Sequence, residues 1–217
     1  MRSFFYLRKI KYTVCFFLVT FSSFVFSEDD LKIVTLGTSL TKRGNWVASL
    51  ENVLGKYKSA NVNVLNLAIS GATSNEGVEQ LDELLEYKPS VVLMEFSVND
   101  ADYFRGISLS KSLNNLDYII KTIRADNEDV TIILMIMNPV YGIRSWIRPM
   151  LGEYRYRHML LARKNNIEYF DFRPRWMDMY EGNFKKVIPD GLHPTSRAAE
   201  SVIVPVLKGL IVNKCLN

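Results

Sequence analysis

The chain has 217 residues, of which 48% are apolar and 23% charged. That suits one α/β domain and excludes a disordered, collagenous or multi-span membrane protein. Two Cys and two His exclude a four-cysteine zinc site and a dense disulfide framework, and the net charge of +4 has to be read segment by segment.

Residues 1–11 carry Arg2, Arg8, Lys9 and Lys11 and no acid. Residues 12–26 (YTVCFFLVTFSSFVF) are almost wholly apolar or hydroxylic, and Val25-Phe26-Ser27 precedes Glu28-Asp29-Asp30. A basic start, a short apolar core and small residues before an acidic stretch predict a secretory signal peptide over 1–27. The domain is then 28–217, exported to a periplasm or secreted, and meets a membrane only transiently through that leader. An uncleaved anchor is the alternative, although the run is short of the roughly 20 residues of a spanning helix. Cleavage takes the 27 basic residues to 23, equal to the 23 acidic ones. The basic character belongs to the leader and gives no argument for nucleic acid. Cys215 is the only cysteine beyond residue 27, so the domain folds without an internal disulfide.

Strands and helices then alternate. Residues 31–36 (LKIVTL) form a short apolar run closed by Gly37, which reads as a strand and turn. Trp46, Val47, Leu50, Val53, Leu54 and Tyr57 recur at helical spacing and predict an amphipathic helix over 45–58. Strand 62–67 follows, then a helix marked by Val78, Leu81, Leu84 and Leu85, and strand 91–96. Leu113, Leu116, Ile119, Ile120 and Ile123 mark the third helix. Residues 131–137 are continuously apolar and predict a strand buried on both faces. A helix over 150–164, a strand over 167–172 and a last helix after Pro194, kinked or interrupted at Pro205, complete the pattern. Five β-α repeats without a linker predict one domain with a parallel sheet between helical layers.

In such sheets ligands sit beyond the carboxyl ends of the strands. Those ends carry Gly37-Thr38-Ser39-Leu40, Ser70-Gly71-Ala72 and Ser97-Val98-Asn99-Asp100, and Asp190-Gly191-Leu192-His193 precedes the last helix. The set suggests acyl transfer. A serine hydroxyl needs a neighbouring base, and only His158 and His193 could supply it. His193, three residues after Asp190, lets one loop provide both the base and the carboxylate that orients it. Backbone N–H groups of Ser39 and Gly71 and the amide of Asn99 are candidate oxyanion donors.

These four blocks, Ser39, Gly71, Asn99 and Asp190/His193 in that order, resemble the SGNH/GDSL hydrolases over about residues 32–204. The resemblance implies a three-layer α/β/α, flavodoxin-like fold with strand order 2-1-3-4-5. It also implies a Ser39-His193-Asp190 triad needing no metal or cofactor. Two positions depart from the family pattern. Thr38 stands for the usual aspartate, which implies altered loop bonding. Ser97 stands for a usual glycine, and its side chain would narrow the pocket.

Other residues admit two readings. Arg144, Trp146 and Arg148, after strand four, either hold a sugar or acyl chain or pack their loop. Tyr103, Phe104 and Arg105 would wall the pocket. His158, near Tyr154 and Leu161, reads as a structural, partly buried histidine, and Arg173 and Arg175 as a solvated edge around a structural Trp176. The function expected is an exported serine esterase acting on a small ester or acylated glycan, such as acetyl on a carbohydrate. The alternatives are an O-acyltransferase for exported polysaccharide, a lysophospholipase or lipid esterase, and a silent glycan-binding module. Residues 37–44 (GTSLTKRG) contain the ingredients of a phosphate cradle, but the spacing of a P-loop or dinucleotide fingerprint is missing.

Overall fold

A computed structural model describes residues 30–57 and 61–216. The expected leader, residues 1–27, lies outside them. Five strands are present: β1 (Leu31–Leu36), β2 (Val62–Asn66), β3 (Val91–Met94), β4 (Thr131–Ile136) and β5 (Glu168–Asp171). They form one sheet in the order β2-β1-β3-β4-β5, every pairing parallel. This is the flavodoxin-like order, with its switch point between β1 and β3.

The helices are α1 (Ser39–Lys42), α2 (Trp46–Gly55), α3 (Ser74–Glu79), α4 (Leu81–Tyr87), α5 (Ser97–Asp100), α6 (Leu109–Asp126), α7 (Ile143–Trp146), α8 (Leu151–Lys164), α9 (Arg173–Tyr180) and α10 (Ser196–Cys215). Alternation along each strand divides the core in two. Ile33, Val91, Leu93, Ile133 and Met135 join Trp46, Leu50, Trp176 and Leu207 on the side of α2 and α10. Val34, Leu36, Val92, Met94 and Leu134 join Leu84, Leu116 and Ile119 on the side of α3, α4 and α6. Both sets are buried, so β4 is covered on both faces, as its continuous apolar run predicts.

Two expectations change. The helix expected around Val78–Leu85 is two helices, α3 and α4, meeting at Gln80. The Thr73/Glu76 capping box starts α3, satisfying two of its free backbone donors. The last helix is not interrupted at Pro205 but runs through it. Buried Val202, Ile203 and Val204 before the proline and Leu207 and Ile211 after it hold both halves against the core. That packing outweighs the one backbone hydrogen bond a proline removes.

Candidate active site

Beyond the end of β1 the chain turns at Gly37 and Thr38 into α1, whose first residue is Ser39. The Thr38 hydroxyl accepts the Leu40 N–H at 3.2 Å, a helix-capping bond. Beneath the turn lies Glu95, one residue past β3 and 1% exposed. Its Oε1 accepts the Thr38 N–H at 2.6 Å and the hydroxyls of Thr38 and Thr41 at 2.9 Å each. A Cβ on residue 37 would stand 2.5 Å from that oxygen, so glycine is what lets the turn close over the carboxyl. Burial pushes Glu95 up to about 7, against the opposing pull of those hydrogen bonds. An ionised aspartate at 38 would have no proton to donate to Glu95, whereas the Thr38 hydroxyl has one. The departure at 38 is thus matched by its buried partner.

The loop before α10 is built on Asp190. Its Oδ1 accepts the N–H groups of Leu192 at 2.9 Å and His193 at 2.6 Å. Its Oδ2 lies 2.6 Å from His193 Nδ1, and His193 Nε2 lies 2.8 Å from Ser39 Oγ. Partial burial would raise the Asp190 carboxyl, but the bonds from the His193 ring and from the two N–H groups outweigh it and hold it at about 2. An ionised Asp190 accepts the proton on Nδ1, which leaves Nε2 as the acceptor facing the Ser39 hydroxyl.

Two further loops carry the other expected oxyanion donors. Gly71 has φ +90°, a conformation that favours glycine. Among the described residues, the N–H groups of Ser39 and Gly71 have no acceptor within the protein. Asn99 donates one Nδ2 proton to the Ala72 carbonyl at 2.8 Å, which fixes the amide and leaves its second proton to give. Ser97 is buried in the first turn of α5.

The flanking residues separate clearly. Arg148 is buried, pairs with Asp102 at 2.6 Å and donates to the Val98 carbonyl at 2.7 Å. It clasps the loop after β4 to the turn that carries Asn99, and the packing reading holds for it. Arg144 is half-exposed, with Nη2 3.7 Å from Asp190 Oδ2, and Trp146 projects into solvent. Tyr103 and Phe104 are also exposed, and Arg105 donates to the Gly71 carbonyl. A cavity of about 270 Å³ lies beside this site, lined by Asp102, Tyr103, Ile107, Met150 and Tyr154 among others, and not by the triad. Trp176 is fully buried, and Arg173 pairs with Asp171.

His158 is not partly but completely buried. Its Nε2 lies 2.7 Å from Ser112 Oγ, which donates to Asp100 at 2.5 Å. Burial lowers His158 to about 3 and raises Asp100 despite its hydrogen bonds from Ser112 and Ser74. Sequence reasoning passed over Glu95, Asp100 and Ser112 as site-supporting residues. Glu95 did leave a signal, a lone acid in the apolar run VVLMEF.

The chain is similar to known proteins in sequence and in fold. An arylesterase of Vibrio mimicus is 28% identical over 200 residues, covering 85% of this chain and 92% of the relative. A thioesterase 1/protease 1/lysophospholipase L1 of Escherichia coli (strain K12) is 27% identical over 188 residues, 84% of this chain and 83% of that protein. Among solved structures, an acetylxylan esterase from Geobacillus stearothermophilus superposes with a TM-score of 0.70 at 19% identity, covering 81% of this chain and 91% of that one. A lipase/acylhydrolase from Enterococcus faecalis gives a TM-score of 0.71 at 25% identity, covering 82% and 96%. Residues 34–200 match the GDSL-like lipase/acylhydrolase family, and the chain therefore belongs to that family, as a hydrolase of ester bonds.

Proposed function

We propose that the chain is an exported serine esterase that removes a small acyl group, acetyl first among them, from a carbohydrate through an acyl-Ser39 intermediate. The observation that carries the mechanism is the unbroken chain Ser39 Oγ, His193 Nε2, His193 Nδ1, Asp190 Oδ2. Ser39 Oγ bonds to the ester carbonyl carbon while its proton passes to His193 Nε2. The negative oxygen of the tetrahedral intermediate is met by Ser39 N–H, Gly71 N–H and Asn99 Nδ2. Collapse breaks the bond to the alcohol oxygen, which takes the proton from His193 as it leaves. Water then gives a proton to His193, bonds to the acyl carbon and releases the acid, and the proton returns to Ser39. Asp190 keeps the imidazole in the working tautomer and stabilises its charged form.

The finer parts of this reading rest on separate supports. Export rests on the basic, then apolar, residues 1–27. A small acyl group fits a triad that does not line the neighbouring cavity. A sugar hydroxyl fits the half-exposed Arg144 next to Asp190, and the similar fold of the acetylxylan esterase points the same way. The exposed apolar side chains near the site, Tyr103, Phe104, Ile143 and Trp146, favour a second reading, a lipid ester.

The test is turnover by the full-length chain of p-nitrophenyl acetate, butyrate and octanoate, and acetate release from acetylated xylo-oligosaccharide. The proposal expects rates falling from acetate to octanoate and acetate released from the oligosaccharide. Rates rising to octanoate, with an inert oligosaccharide, would transfer the assignment to the lipid ester.

A further inference from the structure

The most exposed large apolar side chains among the described residues are Tyr103, Phe104, Ile143 and Trp146, at 74–82%. All four lie on two segments at the carboxyl edge of the sheet, residues 103–106 after β3 and 142–147 after β4. The segments are joined, since the Tyr103 N–H donates to the Ile147 carbonyl at 2.9 Å and Asp102 pairs with Arg148. Together they flank the reacting groups. Arg105 reaches the Gly71 carbonyl, and Arg144 reaches Asp190. These two arginines are the only charged side chains in 103–106 and 142–147.

We propose that this edge docks on an anionic phospholipid surface, with Tyr103, Phe104, Ile143 and Trp146 entering the interface and Arg105 and Arg144 meeting lipid phosphates. Leaving so much apolar surface in water is unfavourable, and clustering it points to a partner. Aromatic and aliphatic tips interleaved with arginine match the headgroup level of a bilayer, apolar ends inward and cations at the phosphates. A glycan platform would need ring faces laid flat. Instead the Tyr103 and Phe104 rings stand at 85° to each other with centroids 5.7 Å apart, and Ile143 offers no face to stack on. The contact is made by two short segments, and no described helix is long and apolar enough to cross a membrane. The described chain enters β1 at Leu31, at the opposite, amino edge of the sheet. Strands of this length separate the two edges by about 20 Å. Docking would turn the edge that carries Ser39 toward the membrane whichever ester is cleaved, and it adds a membrane contact beyond the transient one expected from the leader.

Tryptophan emission provides the test, because Trp46 and Trp176 are fully buried and Trp146 is 82% exposed. The full-length chain carrying Ser39→Ala is mixed with vesicles of phosphatidylcholine alone or with phosphatidylglycerol, each with and without a bromine-labelled lipid. The proposal expects a blue shift and bromine quenching with anionic vesicles, both absent in Trp146→Phe. Partitioning should weaken about fivefold in Arg105→Gln and in Arg144→Gln, about tenfold in Phe104→Ser, and strongly at high salt. Unchanged emission with anionic vesicles would overturn it. A change produced only by acetylated xylo-oligosaccharide would overturn it too and make the edge a glycan platform. Because the background cannot form an acyl-serine at residue 39, this result is independent of the proposed hydrolysis.

Discussion

Two places in this fold bring a serine, a histidine and an aspartate into hydrogen-bond contact. At the carboxyl edge the histidine is in the middle, as Ser39-His193-Asp190. Between α5, α6 and α8 the serine is in the middle, as His158-Ser112-Asp100. With Ser112 donating to Asp100, the proton between His158 and Ser112 must come from Nε2, and His158 Nδ1 is left buried without a partner. His193 has the opposite tautomer, Nδ1 protonated toward Asp190. The same residue types therefore do opposite things. At the edge the imidazole can take the serine proton, because a carboxylate waits on its far side and solvent reaches the loop. Inside, the serine proton is already committed to a carboxylate, and burial holds the imidazole neutral. That inner trio ties α5, which carries Asn99, to α6 and α8. Asp100 also accepts the Ser74 N–H at the start of α3.

The largest effect that would break this comparison is on turnover. Ser39→Ala and His193→Ala should each lower kcat for p-nitrophenyl acetate by on the order of 10⁴ or more. Ser112→Ala should lower it less than about tenfold. Equal losses at Ser39 and Ser112 would erase the distinction. Asn99→Ala comes next, with an expected loss of about 10² to 10³ in kcat, as for removal of one oxyanion donor. Unchanged kcat would take Asn99 out of the site.

Stability should show the reverse ranking. His158→Ala removes a fully buried ring and leaves Ser112 short of a partner. Urea denaturation should find it destabilised by about 2–4 kcal/mol, while His193→Ala costs less than about 1 kcal/mol.

Between about pH 4.5 and 6.5 the smallest effect is that of pH itself, because two buried groups oppose each other. His158 is lowered to about 3 in the fold from 6.5, so the unfolded chain takes up its proton first. The stability it contributes is whole above about pH 6.5 and is lost as pH drops toward 3. Glu95 is raised to about 7 from 4.5, so its contribution is whole below about pH 4.5 and is lost as pH rises toward 7. The two slopes oppose each other between these limits. His158→Gln should unmask a stability that declines across that window, and Glu95→Gln one that rises, both readable in urea midpoints. Identical profiles in the two variants would contradict the assignment.

Much of this was legible locally. The central strands β1, β3 and β4 are short, mainly apolar runs, and each reactive residue sits in the turn that follows a strand or in the loop before the last helix, so order along the chain already placed Ser39, Gly71, Asn99 and His193 at one edge. What escaped was tertiary. Glu95 meets Thr38 across 57 positions, and nothing beside either residue announces the pairing. Arg144 and Arg148 are alike by composition and four residues apart, yet one is half-exposed beside Asp190 and the other is buried against Asp102. Pro205 carries a local rule against helix that packing on both sides overrides. The split at Gln80 has no glycine or proline to mark it.

The most direct test of the central claim is to find which serine carries the acyl group. The full-length chain is labelled with a fluorophosphonate, digested and mapped by mass. The account predicts one adduct, on the peptide containing Ser39, lost in His193→Ala and unchanged in Ser112→Ala. An adduct on Ser112, or full labelling of Ser39 without His193, would contradict it.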